Sequence, residues 1–441
     1  MNELGEVPLG TSSTHAREHH ERALWHLVSF YGDPMAAFDA TISADPRWGL
    51  ARILKAVFLL TLTEPGLVPQ ARQLLTEAEP LMAKALPHEQ GHFRAAQAAL
   101  DGRWHEAVTL WDALLLAHPR DLLALTAAHL FDFYRGDARN LRARVARVLP
   151  EWPADDPLQP YVLGMYAFGL EECNLYPQAE AVGREALARD PRGPWAIHAV
   201  AHVMEMQGRH TEGVAWLQER QPDWSTNGLA VHLWWHLALF RLETLDTAAA
   251  LALFDAHIAG SASSTNLQWL DGAALLWRLQ LLGVEVGARW QALAGDWADP
   301  LAHAGHYAFN DVHALLALLG SGELARAQAL LAASTQRAQT DNHAMMREVG
   351  LPLMQGLMAY ASGDAAEACR LLYPLRTVAH HFGGSHAQRD LIDQTLLAAA
   401  SQSVTGRPVG RALLNERRLA KPMTPLTDYW AMRLSSKKLG P

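Results

Sequence analysis

The chain has 441 residues, 50% of them apolar and 19% charged, and a formal net charge of −9 at neutral pH. That composition excludes disordered and fibrous classes and allows two or three compact domains or one long repeat array. Acidic and basic residues are mixed along most of the chain, so no broad cationic footprint is present and no nucleic-acid partner is expected.

The first twenty residues are polar and acidic and lack the basic region and apolar core of a secretory signal, so 1–20 reads as a polar tail. No stretch approaches 18 uncharged apolar residues, which argues against a membrane partner. Cys173 and Cys369 are the only cysteines. Two thiols suit a reducing compartment, and the expected location is the cytoplasm.

From there on helical signals dominate. Ala and Leu recur at three- and four-residue intervals, and alternating Val/Ile/Thr runs are scarce, which predicts an all-α chain. Residues 36–60, 106–137 and 178–209 each read as helix, short turn with proline, helix. The turn prolines Pro46, Pro119 and Pro191 are 73 and 72 residues apart, and half of each interval is close to the tetratricopeptide period of about 34 residues. Later segments keep the punctuation without the proline, at Gly322-Glu323 and Gly363-Asp364, where one helix stops and the next restarts. Residues 149–160 and 296–306 read as loops, but helical patterns resume at once on both sides. The expectation is one tetratricopeptide-like helix-turn-helix solenoid, a right-handed superhelix over 21–425, followed by a tail at 426–441 that frays from Lys421 onward.

Several stretches could carry chemistry. His88 to His92 reads HEQGH, a literal H-E-x-x-H, in which a metalloprotease would bind zinc through both histidines. Here Pro87 puts Glu89 in a first helical turn, where a carboxylate is favoured by the helix dipole, and Gly91 weakens the helix. The stretch HAVAHVMEMQG stacks His198, His202 and Glu205 on one helical face. Three such ligands span about 10.5 Å of rise, too long for one ion to touch all of them. His198 with His202, or His202 with Glu205, could chelate; all three could equally line a polar groove. VHLWWHLALF repeats the four-residue histidine spacing at His232 and His236, around Trp234 and Trp235. HYAFNDVHALLAL groups Asn310, Asp311 and His313 near a helix start, where capping explains one of them. In FGGSHAQRDLIDQTLL, Gly383 and Gly384 permit unusual backbone, Ser385 can cap the next helix, and Gln388, Arg389 and Asp390 crowd its first turns. Arg389 and Asp390 are adjacent, so they face different directions and one of them points inward.

The chain has 22 histidines, many from residue 198 onward. They read either as the lining of a polar groove or as a site that needs neutral donors and acceptors near pH 7. There is no strand-associated glycine-rich phosphate loop, no G-x-S-x-G elbow and no cysteine cluster, so no cofactor is expected.

The segments HAVAHVMEMQGR, HLWWHLALF, LDGAALLWRLQLLGVEVGARWQ, FNDVHALLAL, REVGLPLMQGLMAYASGD and LLYPLRTVAHHFGGSHAQRDLIDQTLL together resemble the tetratricopeptide repeat protein 38 family. The resemblance runs in order from about residue 28 to 425 and implies a tetratricopeptide-like solenoid. It brings no general activity. The polar positions matching the family motifs are His198, His202, Glu205, His232, His236, Asp271, Arg278, Asn310, Asp311, His313, Arg347, Ser385, Gln388, Arg389 and Asp390.

If a concave face gathers these residues, the expected function is binding of a small polar or aromatic, anionic ligand. His198, His232, Trp234, Trp235, Asn310, Ser385, Gln388, Arg389 and Asp390 would bind it, Arg389 holding the anionic group and a tryptophan the apolar part. A metal-independent hydrolase or lyase in the same pocket is the alternative. Its catalytic residues would come from His202, His236, Asp311, His313 and Glu205, with a histidine as general base oriented by Asp311 or Glu205. A third reading is an interaction scaffold holding a peptide in the groove. None of these readings assigns a metal ligand.

Overall fold

The structure, a computed structural model, describes residues 7–259, 266–297, 299–421 and 424–436. Among them every regular element is helical. In chain order the helices are α1 (Thr14–Ser29), α2 (Pro34–Ala44), α3 (Gly49–Thr61), α4 (Val68–Ala78), α5 (Pro87–Leu100), α6 (Trp104–Ala117), α7 (Leu122–Tyr134), α8 (Ala138–Val148), α9 (Gln159–Glu172), α10 (Tyr176–Arg189), α11 (Pro194–Met206), α12 (His210–Glu219) and α13 (Gln221–Trp224). They continue with α14 (Ala230–Glu243), α15 (Thr247–Leu253), α16 (Asn266–Leu281), α17 (Arg289–Asp296), α18 (Pro300–His303), α19 (Ala308–Gly320), α20 (Leu324–Arg337), α21 (Thr340–Met345), α22 (Leu351–Ala361), α23 (Ala365–Leu372), α24 (His386–Gln402), α25 (Arg407–Ala420) and α26 (Pro425–Ser435). None of the described helices is long and apolar enough to cross a membrane.

Contacts group the chain into two compact units, one of residues 1–200 and 222–229, the other of 201–221 and 230–441. In both, consecutive helices pack as antiparallel hairpins: α3 on α4, α5 on α6 and α9 on α10 in the first, α19 on α20, α22 on α23 and α24 on α25 in the second. The fold is all-α and tetratricopeptide-like.

Two local devices create the hairpins. The proline turns of the first unit are built alike. The backbone N–H of Trp48, Asp121 and Gly193 each donates to the carbonyl three residues earlier, on Asp45, His118 and Asp190, with proline second in the turn. Proline's fixed φ suits that position, and Asp45 and Asp190 add side-chain bonds to the N–H two residues on. The other device ends the first helix of each pair. Residues 102, 136, 174, 208, 245, 283, 322 and 363 all have positive φ, at intervals of 34 to 41 residues. After each of them the next N–H donates to the carbonyl five residues back, as from Arg103 to Ala98, Asp137 to Asp132, Glu323 to Leu318 and Asp364 to Ala359. This left-handed cap satisfies the last carbonyls of the helix, and six of the eight positions are glycine because only glycine takes that conformation without strain. The GD and GE punctuation read from the sequence is this cap, and its spacing reports the repeat directly.

Small residues set how closely neighbouring helices approach. A Cβ on Gly169 would lie 2.7 Å from the Arg142 Cα and 2.8 Å from the Leu141 carbonyl, so α9 meets α8 backbone to backbone.

Both expected tails contain ordered helix. Within 1–20, α1 starts at Thr14, capped by the Ser13 side chain, and Ala16 and His20 are buried. Within 426–441, α26 buries Trp430 completely, and Lys421 is only 3% exposed. The physical reason is short-range: Thr424 caps α26, and Leu426 and Trp430 sit four residues apart, so even this short helix has an apolar face to bury. The last residues of the expected fraying end, 437–441, lie outside the described residues, as do 1–6 and 298. Between 296 and 306, expected as loop, Asp299 caps the short helix α18.

Candidate functional site

The histidine motifs of the second unit converge. His202 and Glu205 stand on α11, His232, His236 and Glu243 on α14, Asp271 and Arg278 on α16, Asp390 on α24, and Arg417 on α25, with Lys421 just after it. One ring nitrogen from each of His202, His232 and His236 lies within 4.8 Å of the others. The His202 and His236 rings are 4.4 Å apart between centroids, and those of His232 and His236 are 4.7 Å apart.

The carboxylates of other helices orient these rings. Asp271 Oδ2 is 2.8 Å from His232 Nδ1, and Glu205 Oε2 is 3.0 Å from His236 Nδ1. The two Nε2 atoms then face each other at 3.2 Å. The Trp235 indole stacks on His232 at 5.2 Å and 17°, with the Arg278 guanidinium 5.5 Å from the indole centroid. Arg278 is held by the carbonyls of Ala274, Ala387 and Gln388, so it is fixed as firmly as the rings.

Below the histidines lies a buried ion network. Arg417 donates to Glu243 at 2.6 Å and to Asp390 at 2.8 Å, and Lys421 reaches Glu243 at 3.2 Å and Glu205 at 4.0 Å. Burial alone would push Glu243 and Asp390 up, but the cations outweigh it and hold both below the ordinary carboxylate range. On Glu205 the pull of Lys421 and Arg278 is opposed by the charges of Asp390 and Glu243, so burial wins and lifts it to about 7. Burial, reinforced by neighbouring histidines, keeps His202 and His236 well below the usual imidazole range, so both are neutral at pH 7. Lone pairs on neutral rings, aimed at a common point and steered by carboxylates, can accept a proton or coordinate a cation.

The remaining sequence candidates divide. His313 donates Nδ1–H to the Phe309 carbonyl at 2.8 Å, and burial lowers it to about 4. Asp311 is spoken for elsewhere: its carboxylate accepts the Gly305 N–H at 3.0 Å, so it orients a loop and no histidine. Burial raises it to about 7. Asn310 is buried beside it on α19. Ser385, expected as a cap or a ligand contact, and Gln388, expected as a ligand contact, form a reciprocal capping box at the start of α24. Of the adjacent pair it is Asp390 that turns inward, while Arg389 stays half-buried and donates to the Gly384 carbonyl. Trp234 does not join Trp235: two residues from His232 and from His236, it projects from the other side of α14 and stacks on His257 at 3.8 Å. His198 belongs to the first unit, against Phe168 and Trp195. In that unit Glu89 of the H-E-x-x-H stretch accepts from Gly10 N–H, Leu86 N–H and the Trp48 indole, which makes it a helix cap and a loop anchor.

Glu243, Arg417 and Lys421 were absent from the sequence candidates. Their signal was a charge continuing an apolar stripe: Gly410, Leu413, Leu414 and Arg417 follow helical spacing on α25, and all are buried. Read by itself, the NERRLAK segment looks like a solvated helix face.

A scan of known protein families gives no match. Among solved structures, the chain is similar to a human IFIT1 dimer with PPP-AAAA, at TM-score 0.45 and 14% identity over 97% of this chain and 95% of that one. It is also similar to a human IFIT1 dimer with m7Gppp-AAAA, at TM-score 0.42 and 14% identity over the same shares. The expectation of no nucleic-acid partner is therefore withdrawn, because chains matched over this length were solved with such oligonucleotides. A net charge of −9 is an average over 441 residues and excludes no locally basic surface.

Proposed function

We propose that this chain is a ligand-binding helical-repeat protein of the tetratricopeptide repeat protein 38 kind, with its functional centre at His202, His232 and His236 in the second unit. The observation that carries this reading is the pairing of two imidazoles, one turn apart on α14, with carboxylates from two different helices. A packed helical hairpin gains nothing from such groups. Replacing buried ion networks by apolar side chains is often neutral or stabilising, so their collection in one place speaks for a task other than folding.

The ligand class is small and polar or aromatic, with an anionic group. Trp235 supplies the aromatic wall, and Arg389, close enough to act electrostatically on His202, supplies the cationic partner. The reading carries with it a cytoplasmic location, which the unpaired Cys173 and Cys369 support.

One observation favours catalysis as a second reading. His232 keeps 17% of its side chain exposed while Asp271 holds its Nδ1, the arrangement of a carboxylate-oriented general base. The test is untargeted metabolite identification after native purification of the wild type and of Asp271→Asn. A small molecule retained by the wild type and lost from the variant supports binding, and its conversion by the wild type supports the enzyme. No retained molecule from any lysate or metabolite library refutes both.

A further inference from the structure

We propose that His202, His232 and His236 form a binding site for a divalent first-row metal ion of zinc's class, with Asp271 and Glu205 as the outer carboxylates that set the ligand tautomers. The inference deepens the reading of this centre given above and departs from the expectation that no metal is held.

The argument begins with hydrogen positions. An ionised carboxylate can only accept, so His232 donates its Nδ1–H to Asp271 at 2.8 Å, and His236 does the same to Glu205 at 3.0 Å when Glu205 is ionised. Each ring then has a lone pair on Nε2, and the two Nε2 atoms face each other at 3.2 Å. Two lone pairs at that separation stand where one cation can reach both. A tetrahedral ion with metal–nitrogen bonds of about 2.0–2.1 Å separates its ligand nitrogens by roughly 3.3–3.4 Å, so the pair already stands near the coordination distance.

The rest of the site follows the same pattern. His202 brings a third imidazole nitrogen within 4.8 Å of the other two from a different helix. Three imidazoles are a ligand set found in zinc sites, and imidazole suits zinc, copper, nickel and iron. The carboxylate behind a ligating histidine is the usual outer shell of such sites: it fixes ring orientation and raises basicity at the ligating nitrogen. The stack of His232 on Trp235 restrains the remaining freedom of that ring. Electrostatics also permit a dication: Asp271, Glu243 and Asp390 stand beside Arg278, Arg417 and Lys421, and Glu205 is a fourth carboxyl that a bound dication would ionise.

The H-E-x-x-H stretch, which by sequence looks like the better metal motif, has its glutamate engaged in capping and serves as the internal control. The test is titration of chelator-treated full-length protein with zinc(II) and cobalt(II), followed by metal analysis and X-ray absorption. The expected result is one equivalent bound, an absorption fit with three imidazole nitrogens at about 2.0–2.1 Å, loss of the stoichiometric ion in His232→Gln and His236→Gln, and no change in His88→Gln. Asp271→Asn should retain the stoichiometry with affinity about 10–100-fold weaker, the signature of an outer-shell residue. Absence of stoichiometric metal in the wild type, which leaves a shared proton between the two Nε2 atoms, would overturn the proposal. So would binding that survives both histidine substitutions. The absorption fit needs no variant and stands even if a substitution unfolds the chain. A metal-free protein that still retains a metabolite fails this proposal alone, whereas loss of the metabolite with metal bound fails the ligand reading alone.

Discussion

Arg417→Met gives the sharpest test of the buried network. Arg417 is 8% exposed and bonds Glu243 at 2.6 Å, Asp390 at 2.8 Å and the Thr427 hydroxyl at 3.2 Å. Methionine fills much of the volume but leaves Glu243 with Lys421 and the Thr424 hydroxyl, and Asp390 with the Gln394 amide at 2.8 Å. Two charge-assisted bonds of about 1.5–3 kcal/mol each are lost. Because neither carboxylate is left entirely without a partner, the expected cost is about 3–5 kcal/mol, the range for breaking a buried pair by removing one member. In a unit of this size that corresponds to a fall in Tm of roughly 6–20 °C. The assay is urea unfolding, with hydrogen exchange resolved along the chain because two units need not unfold in one step. The triple variant Arg417→Met, Glu243→Gln, Asp390→Asn removes the stranded charges and should recover at least about 2 kcal/mol of that loss. A cost under about 1 kcal/mol for the single variant, or a triple variant no more stable than it, would refute the account of the network as mutually dependent.

Asp311 sets a pH dependence. Its folded value of about 7 lies above the unfolded value near 3.9, so the folded state holds the proton more tightly, and stability falls as pH rises from about 4 to 7. Asp311→Asn should flatten that slope and gain up to about 4 kcal/mol at pH 8; an unchanged slope in chemical denaturation across pH would show that Asp311 ionises freely in the fold. Glu89→Ala leaves the buried Trp48 indole N–H and two backbone donors without their acceptor, at an expected cost of about 2–4 kcal/mol, whereas Glu89→Gln should cost less than half of that. Equal losses for the two would place the effect in packing. A Cβ meets nothing within 4 Å at either Gly363 or Gly295, yet the substitutions should differ in sign. Gly363→Ala forces a left-handed residue and should cost about 1–2 kcal/mol, while Gly295→Ala, inside α17, should gain up to about 1 kcal/mol. Thermal melts giving both the same sign would contradict the cap assigned at residue 363.

Local features of this protein were legible because they depend on neighbours in sequence. Helical spacing, the proline turns at 46, 119 and 191, the GD and GE caps and the Ser385 cap all rest on bonds spanning six residues or fewer. The terminal helices were missed because their apolar faces are short and flanked by polar residues, and only burial of Trp430 reveals what α26 packs. The four-residue spacing of His232 and His236 puts them on one face of α14, where their rings lie 4.7 Å apart, while Glu205, three residues after His202, bonds His236.

The amino-acid order by itself determined the helices, their caps and the repeat, because backbone conformation and capping are settled within one or two turns. It also determined that His232 and His236 share a face. Which carboxylate meets which imidazole was decided only by packing. His232 finds Asp271 39 residues away, His236 finds Glu205 31 residues back, and Arg417 finds Glu243 across 174 residues. The same packing turned Asp390 inward, committed Asp311 to a loop and sent Trp234 to His257. A one-dimensional pattern fixes the direction of a side chain on its own helix but not the partner it meets, because that depends on how helices distant in sequence pack together.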